Sequence, residues 1–283
     1  MLNPPITASF EPASGAHAIA EMVVFFEFTP DLSAAFPALF GWESAFPNRF
    51  VKETPPAYQL HVEMKEIPTS TFRQMQSAIY RQLSPKGELE WLVNVQPAAI
   101  SVHCLAYSHW KTVWPEIATL LNVLFKHLEG VPVSVSTIGM KYVDRFNYIG
   151  EPVNYSARLL FEDNAPYLNA NIFKADTRWH NHTGWFDKST EKDGVEVLNQ
   201  LNIDALSAPV DGKDTNVVVI DHTQLVRAIE AQPLTKFIGP TKAGAPLDEL
   251  MNRLHAHNGK VLSELLTPGM AKRINLPKPA KSK

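Results

Sequence analysis

Residues 88–147, ELEWLVNVQPAAISVHCLAYSHWKTVWPEIATLLNVLFKHLEGVPVSVSTIGMKYVDRFN, contain the clearest structural pattern in the chain. Alternating apolar residues predict strands at 88–95 and 99–106. Apolar residues at helical spacing follow at 110–128, and a further alternating run at 133–146 predicts another strand. The segment therefore predicts two adjacent strands, a long helix and a return strand.

The predicted helix carries a wide apolar stripe of the kind that packs on a sheet. Gly130 and Pro132 are suited to end it. In the return strand the apolar residues change face between Val135 and Ile138, and a β-bulge near Gly139 would explain the change. The stripe of the helix consists of Trp110, Val113, Trp114, Ile117, Leu120, Leu121, Leu124 and Leu128.

The second half of the chain shows a similar order of elements. Strands are predicted at 167–174, 178–186, 195–206 and 216–220, and a second apolar stripe predicts a long helix at 247–265. Mostly adjacent strands followed by one long amphipathic helix are typical of an antiparallel sheet that is covered on one face.

We therefore predict a mixed α+β fold. It would have two halves, each a mostly antiparallel sheet covered by one long amphipathic helix. The first half would comprise residues 1–150 and the second residues 151–271, and residues 272–283 would form a basic, flexible tail.

Composition favours a globular protein of the cytoplasm. Of the 283 residues 45% are hydrophobic and 19% are charged, and the net charge of -3 gives no general attraction to nucleic acid or anionic lipid. Cys104 is the only cysteine, so no intramolecular disulfide can form, which suits a reducing compartment. The N-terminus lacks a basic segment followed by an apolar core, and no apolar run reaches roughly eighteen residues, so neither export nor a membrane span is expected.

Two segments resemble a sporadically distributed, uncharacterised bacterial family. They are the aromatic start of the helix (Tyr107, Trp110, Trp114) with the strand 138–145, IGMKYVDR, and the stretch 254–268. The family's strand motif usually reads Gly-Leu-Arg-Tyr-Ile-Asn-Arg. Gly139, Tyr142 and Arg145 match it, whereas Asp144 replaces an amide with a carboxylate. The resemblance spans 22–276 and implies no reaction.

The scattered distribution of this family implies the accessory gene pool, where defence and toxin–antitoxin components are common. By analogy, the resemblance implies a regulatory or partner-binding role.

The strand around Gly139 carries the first group of candidate site residues. Alternation places Lys141 and Arg145 on one face and Tyr142 and Asp144 on the other. Lys141 and Arg145 would form either an anion-binding or partner-binding face, or a solvated face with a structural ion pair.

A second candidate group is His180 and His182, which would project from the same face of a strand. Two ligands do not hold zinc or iron, so Asp176, Asp187 or the pair Asp221-His222 would have to supply another. The alternative is a pair of exposed strand histidines. We expect no metal and no cofactor.

No catalytic set is recognisable in the sequence. Cys104 and His103 are neighbours on a strand and so face opposite sides, which excludes a nucleophile–base pair. We therefore expect a cytoplasmic, non-enzymatic binding or regulatory protein with a protein partner or with self-association. A small-molecule-binding or metal-dependent enzyme with a pocket between sheet and helix is the alternative. Nucleic-acid binding is not expected.

Overall fold

The computed structural model describes residues 8–29, 31–63, 69–187, 195–210, 212–228 and 234–276, with the backbone alone at 57–75. Its strands are β1 (Ser9–Pro12), β2 (Ile19–Thr29), β3 (Val51–Glu53), β4 (Ala57–Glu63), β5 (Thr69–Met75), β6 (Ala78–Leu83), β7 (Leu89–Gln96), β8 (Ala99–Cys104), β9 (Ser134–Ile149), β10 (Trp179–Asp187), β11 (Val195–Val210) and β12 (Lys213–Ala228).

The α-helices are α1 (Phe36–Leu39), α2 (Trp110–Lys126), α3 (Pro246–Leu265) and α4 (Pro268–Arg273). Short 3₁₀ turns lie at Leu32–Ala34, Trp42–Ala45, Pro152–Asn154, Ala157–Leu159, Ala170–Lys174 and Leu234–Phe237. None of the helices in the described ranges is long and apolar enough to cross a membrane. The two long helices lie where their apolar stripes predict them.

A single ten-stranded sheet forms the body of the molecule, in the order β10-β11-β12-β9-β2-β8-β7-β6-β3, with β1 also paired to β9. Every pairing within it is antiparallel. Strands β4 and β5 pair with each other in a separate two-stranded sheet.

The predicted division into two sheet-plus-helix halves is wrong. Strand β9 pairs with β2 on one side and with β12 on the other, so strands from both ends of the chain share one sheet. Periodicity identifies each strand but carries no information on which distant strand becomes its neighbour. Lys272 and Arg273, which the predicted tail includes, end α4. Residues 277–283 of that predicted tail lie outside the described residues.

The long helices cover one face of this sheet. On β9 the buried residues Tyr142 and Asp144 alternate with the half-exposed Lys141, Val143 and Arg145. The buried set contacts the helices within two apolar clusters, one containing α2 and the first half of α3, the other containing the end of α3 and α4. We call the half-exposed side, which carries Lys141 and Arg145, the open face.

A segment predicted as a strand, 167–174, is instead a loop that ends in the 3₁₀ turn Ala170–Lys174. Asn169 caps this turn by accepting a hydrogen bond from the backbone N–H of Asn171. The Asn181 side chain accepts from the N–H of Asn169 and donates to the carbonyl of Tyr167. These side-chain contacts replace the ladder that a strand would have formed.

The bulge predicted near Gly139 is confirmed, three residues before it. The register shift falls between Glu27 and Phe28, opposite Thr137 and Val135, so the extra residue is Ser136, within the predicted change of face. Gly139 itself pairs regularly with Phe25 on β2. Gly139 has a different task, since a Cβ at this position would overlap the ring of Phe25. The absence of a side chain allows that ring to lie across β9.

Replacing Gly139 by Ala should therefore lower the free energy of unfolding by about 1–3 kcal/mol, the usual cost of overpacking. The additional Phe25→Leu exchange should recover part of the loss. Denaturant titration of both variants measures this. Gly269→Ala is the matched control, because a Cβ there meets no atom within 4 Å, and equal stability of Gly139→Ala and the parent would contradict the argument.

Candidate functional site

A row of buried polar side chains separates the two apolar clusters beneath α3. On each element it interrupts the apolar residues: Asn199 lies between Val197 and Leu201 on β11, and Asn258 lies between Leu254 and Val261 on α3. We call this row the polar seam. It consists of Tyr142, Asp144, Asn199, His222, Gln224, His255 and Asn258.

His222 is the centre of the seam and is 1% exposed. Its Nδ1 lies 2.8 Å from Asn258 Oδ1 and its Nε2 lies 3.1 Å from Asn199 Oδ1. Burial lowers the pKa of His222 to about 4, so the ring is neutral near pH 7 and carries one N–H. It therefore donates to one amide oxygen, and the second ring nitrogen is satisfied when the other amide turns its NH₂ group towards it.

His255 connects the seam to α2. Burial lowers the pKa of His255 to about 4, and burial also raises the pKa of Tyr142 well above its usual value. The Tyr142 hydroxyl therefore donates to His255 Nδ1 at 2.8 Å. The imidazole stacks on Trp110 at 4.4 Å, and Trp110 Nε1 donates to Asn252 Oδ1 at 2.7 Å. These contacts fix the position of α3 against both β9 and α2.

Two seam oxygens, Asp144 Oδ2 and Gln224 Oε1, have no hydrogen-bond partner among the described residues, and of the two only Asp144 can ionise. Asp144 is 1% exposed, and desolvation raises the pKa of its carboxyl to about 7. Asp144 is thus partly protonated near neutral pH. The carboxyl lies on the helix-covered face, as alternation predicts, and not beside Lys141 and Arg145.

The open face carries the predicted cations Lys141 and Arg145, each held by a neighbour. Lys141 Nζ lies 2.5 Å from Asp221 Oδ2, and Arg145 Nε donates to Asn147 Oδ1 at 3.1 Å. Because the Lys141–Asp221 pair is partly exposed, it contributes about 1 kcal/mol or less to the free energy of unfolding. Both alternatives for this face, binding surface or structural ion pair, remain predictions.

The same face holds a third pair, which the sequence did not indicate. His103 Nδ1 lies 2.7 Å from Glu21 Oε1, on a strand far away in sequence. This hydrogen bond is the main reason why the pKa of Glu21 is lowered from its usual value. The centre of the open face is therefore occupied by paired charges of both signs.

His180 and His182 lie on the open face of β10, with ring centroids 5.3 Å apart. His182 Nε2 lies 3.4 Å from Asp204 Oδ1. Two strands separate β10 from β9, which places these rings about 14 Å from Lys141, too far for one small site.

Three of the proposed additional metal ligands are held elsewhere. Asp187 points to the opposite face, where it lies beside His257, and His222 is buried in the seam. Asp221 lies two strands away from His182 and pairs with Lys141. Within the described residues no group of three or more His, Cys, Asp or Glu side chains could hold a metal ion.

A cleft of about 540 Å³ opens between the end of β10 and α3. Trp185 stacks on Tyr167 at 4.5 Å, and its ring lies 5.9 Å from His222, which links the cleft to the seam. His257 Nδ1 lies 3.3 Å from Asp187 Oδ2. The sequence spacing places Arg253, Ala256, His257 and Lys260 on one side of α3. This spacing indicates a site only once the end of β10 is known to lie beside α3.

Comparison with known proteins gave no assignment: no protein-family model matches the chain, and no curated protein matches it.

The exchange Asp144→Asn should raise the free energy of unfolding at neutral and alkaline pH. The Asp144 carboxyl has a pKa of about 7 in the folded protein, above its ordinary value of 3.8. The free energy of unfolding of the parent therefore falls as the pH rises from 3.8 to 7, because the unfolded chain releases this proton first. The gain from Asp144→Asn should be small near pH 4 and grow by at most about 1.4 kcal/mol per pH unit up to pH 7. Denaturant titrations across this range measure it.

His222 and His255 change the free energy of unfolding in the opposite direction. Their pKa values are lowered to about 4, so this free energy falls as the pH falls from 6.5 towards 4. Both histidines are present in parent and variant, so the difference between the two curves isolates Asp144. Asp163→Asn, at an exposed carboxylate, is the matched control. A gain from Asp144→Asn that does not change with pH would refute the assignment.

Proposed function

We propose that this chain is a cytoplasmic binding or regulatory protein that acts through protein–protein contacts. The observation that supports this is the outer edge of β10. β10 is the last strand of the large sheet, nine residues long, and has one neighbour, β11. In the part of the chain that the structure describes, no other segment forms backbone hydrogen bonds with it.

Natural sheets protect such edges with proline, lysine, a bulge or a very short strand. β10, WHNHTGWFD, contains neither proline nor lysine, and its pairing with β11 has no register shift. The opposite edge of the sheet is the three-residue strand β3, which carries Lys52 and Glu53. The two edges therefore differ in the way expected if one of them receives a strand from another chain.

The side chains at this edge also suit a contact surface. Phe186 is 55% exposed, and His180 and His182 are exposed on the same side. Antiparallel pairing of β10 with its counterpart in a second copy would use identical surfaces, as a two-fold dimer requires. A second copy is therefore the partner to test first, and a different protein that adds a strand at this edge is the next.

The resemblance to a sporadically distributed bacterial family supports this proposal by analogy. A bacterial accessory or defence-associated component that binds a partner protein is consistent with a strand edge open to pairing.

The double exchange His180→Lys/His182→Lys should weaken self-association at least about tenfold, because like charges then meet across the two-fold axis. Light scattering after size-exclusion chromatography, over a range of protein concentrations, measures it. The parent should have twice the mass of one chain, and the variant should shift towards the mass of a monomer.

Gln96→Lys/Thr112→Lys adds the same charge at two exposed positions away from β10 and should leave the dimer intact. A heterologous partner is tested by affinity purification of both variants from the native host, where only His180→Lys/His182→Lys should lose it. A parent that remains monomeric at every concentration and retains no protein contradicts the proposal.

A further inference from the structure

The cleft between β10 and α3 has the composition of a ligand site. Its volume of about 540 Å³ falls in the usual range for small-molecule sites. One wall is aromatic, formed by Tyr167 and Trp185. The other wall is the polar side of α3, with His257 and Lys260. We propose that this cleft binds a planar ring compound that carries an anionic group, of the size of a nucleoside monophosphate.

The aromatic wall is held rigidly. Trp185 stacks on Tyr167 with ring centroids 4.5 Å apart, and its ring lies nearly parallel to that of His222 at 5.9 Å. The Tyr167 hydroxyl donates to Glu264 Oε2 at 2.9 Å. His222 is in turn held by the amides of the seam. A wall that is ordered before binding loses little side-chain entropy when a ring packs on it.

The floor of the cleft offers a hydrogen-bond acceptor. Burial is the main cause that lowers the pKa of His257, so the ring is neutral near pH 7. Its Nδ1 lies 3.3 Å from Asp187 Oδ2, and the carboxylate favours the tautomer with the proton on Nδ1, which leaves the lone pair on Nε2. Ring N–H groups or sugar hydroxyls of a ligand are donors that suit this Nε2.

The mouth of the cleft supplies positive charge. Lys260 lies one turn beyond His257 on α3, and its side chain is 69% exposed. Its Nζ lies 3.9 Å from Glu264 Oε1, a long and exposed ion pair, so the ammonium group can turn towards an anion at the entrance. A cation at the mouth, an acceptor at the floor and a flat aromatic wall together favour a ring compound with one anionic end over a free anion or a neutral ring.

Isothermal titration of the full chain with AMP and GMP tests this, with adenosine and inorganic phosphate as the two half-ligands. At least one nucleotide should bind with a dissociation constant in the micromolar range, at least about tenfold tighter than either half-ligand. Binding of neither nucleotide up to millimolar concentration, or equal binding of adenosine, overturns the proposal.

Two variants locate the site. Ala256→Trp fills the cleft from an exposed helical position and should abolish binding with the melting temperature unchanged. Lys260→Glu should weaken nucleotide binding at least about tenfold and leave adenosine unaffected, whereas Lys111→Glu on α2 should change neither. Nucleotide binding that survives Ala256→Trp places the site elsewhere and overturns the assignment. Self-association at β10 is a separate measurement, so each proposal can fail without the other.

Discussion

The pairing of β9 with β2 on one side and β12 on the other is the interaction on which the rest of the structure depends. It places Tyr142 opposite Met22 in one ladder and opposite His222 in the other. Because these neighbours come from distant parts of the chain, the pairing forms one sheet from two sets of strands. It also sets the register in which the polar side chains of the seam meet. A shift of β9 by one residue would turn Asp144 to the open face and Lys141 and Arg145 into the core.

Burying the polar side chains of the seam costs free energy of folding, and hydrogen bonds to neighbouring groups offset most of that cost. Neutral His222 and the Tyr142–His255 pair exchange bonds to water for bonds to neighbouring side chains. Asp144 has no such compensation at Oδ2, and its raised pKa allows a neutral carboxylic acid to take the place of a buried charge. Directional hydrogen bonds from the seam also oppose sliding of α3 along the sheet, which apolar contacts alone would permit.

The sequence predicted the positions of helices and strands better than it predicted which strands pair and which side chains meet. The apolar stripes of α2 and α3 depend only on nearby residues, so their helical spacing was sufficient. The reason for a glycine at position 139 could not be predicted, because it is the ring of Phe25, a residue on another strand. The alternation along β9 gave the faces of Lys141, Tyr142 and Asp144 correctly, yet not their partners. The contact between His257 and Asp187 could not be predicted, since it requires the end of β10 to lie beside α3.

Strand β10 forms both the last strand of the large sheet and one side of the cleft beside α3. Alternation turns His180 and His182 to the open face and turns Trp185 and Asp187 towards α3. A strand added along the edge would restrict the motion of β10 and thereby the aromatic wall of the cleft. A ligand packed on Trp185 would restrict the same backbone from the other side. Two occupants that ordered one strand would share its entropic cost, so occupation of either proposed site would favour the other, and by thermodynamic linkage the effect would be equal in both directions.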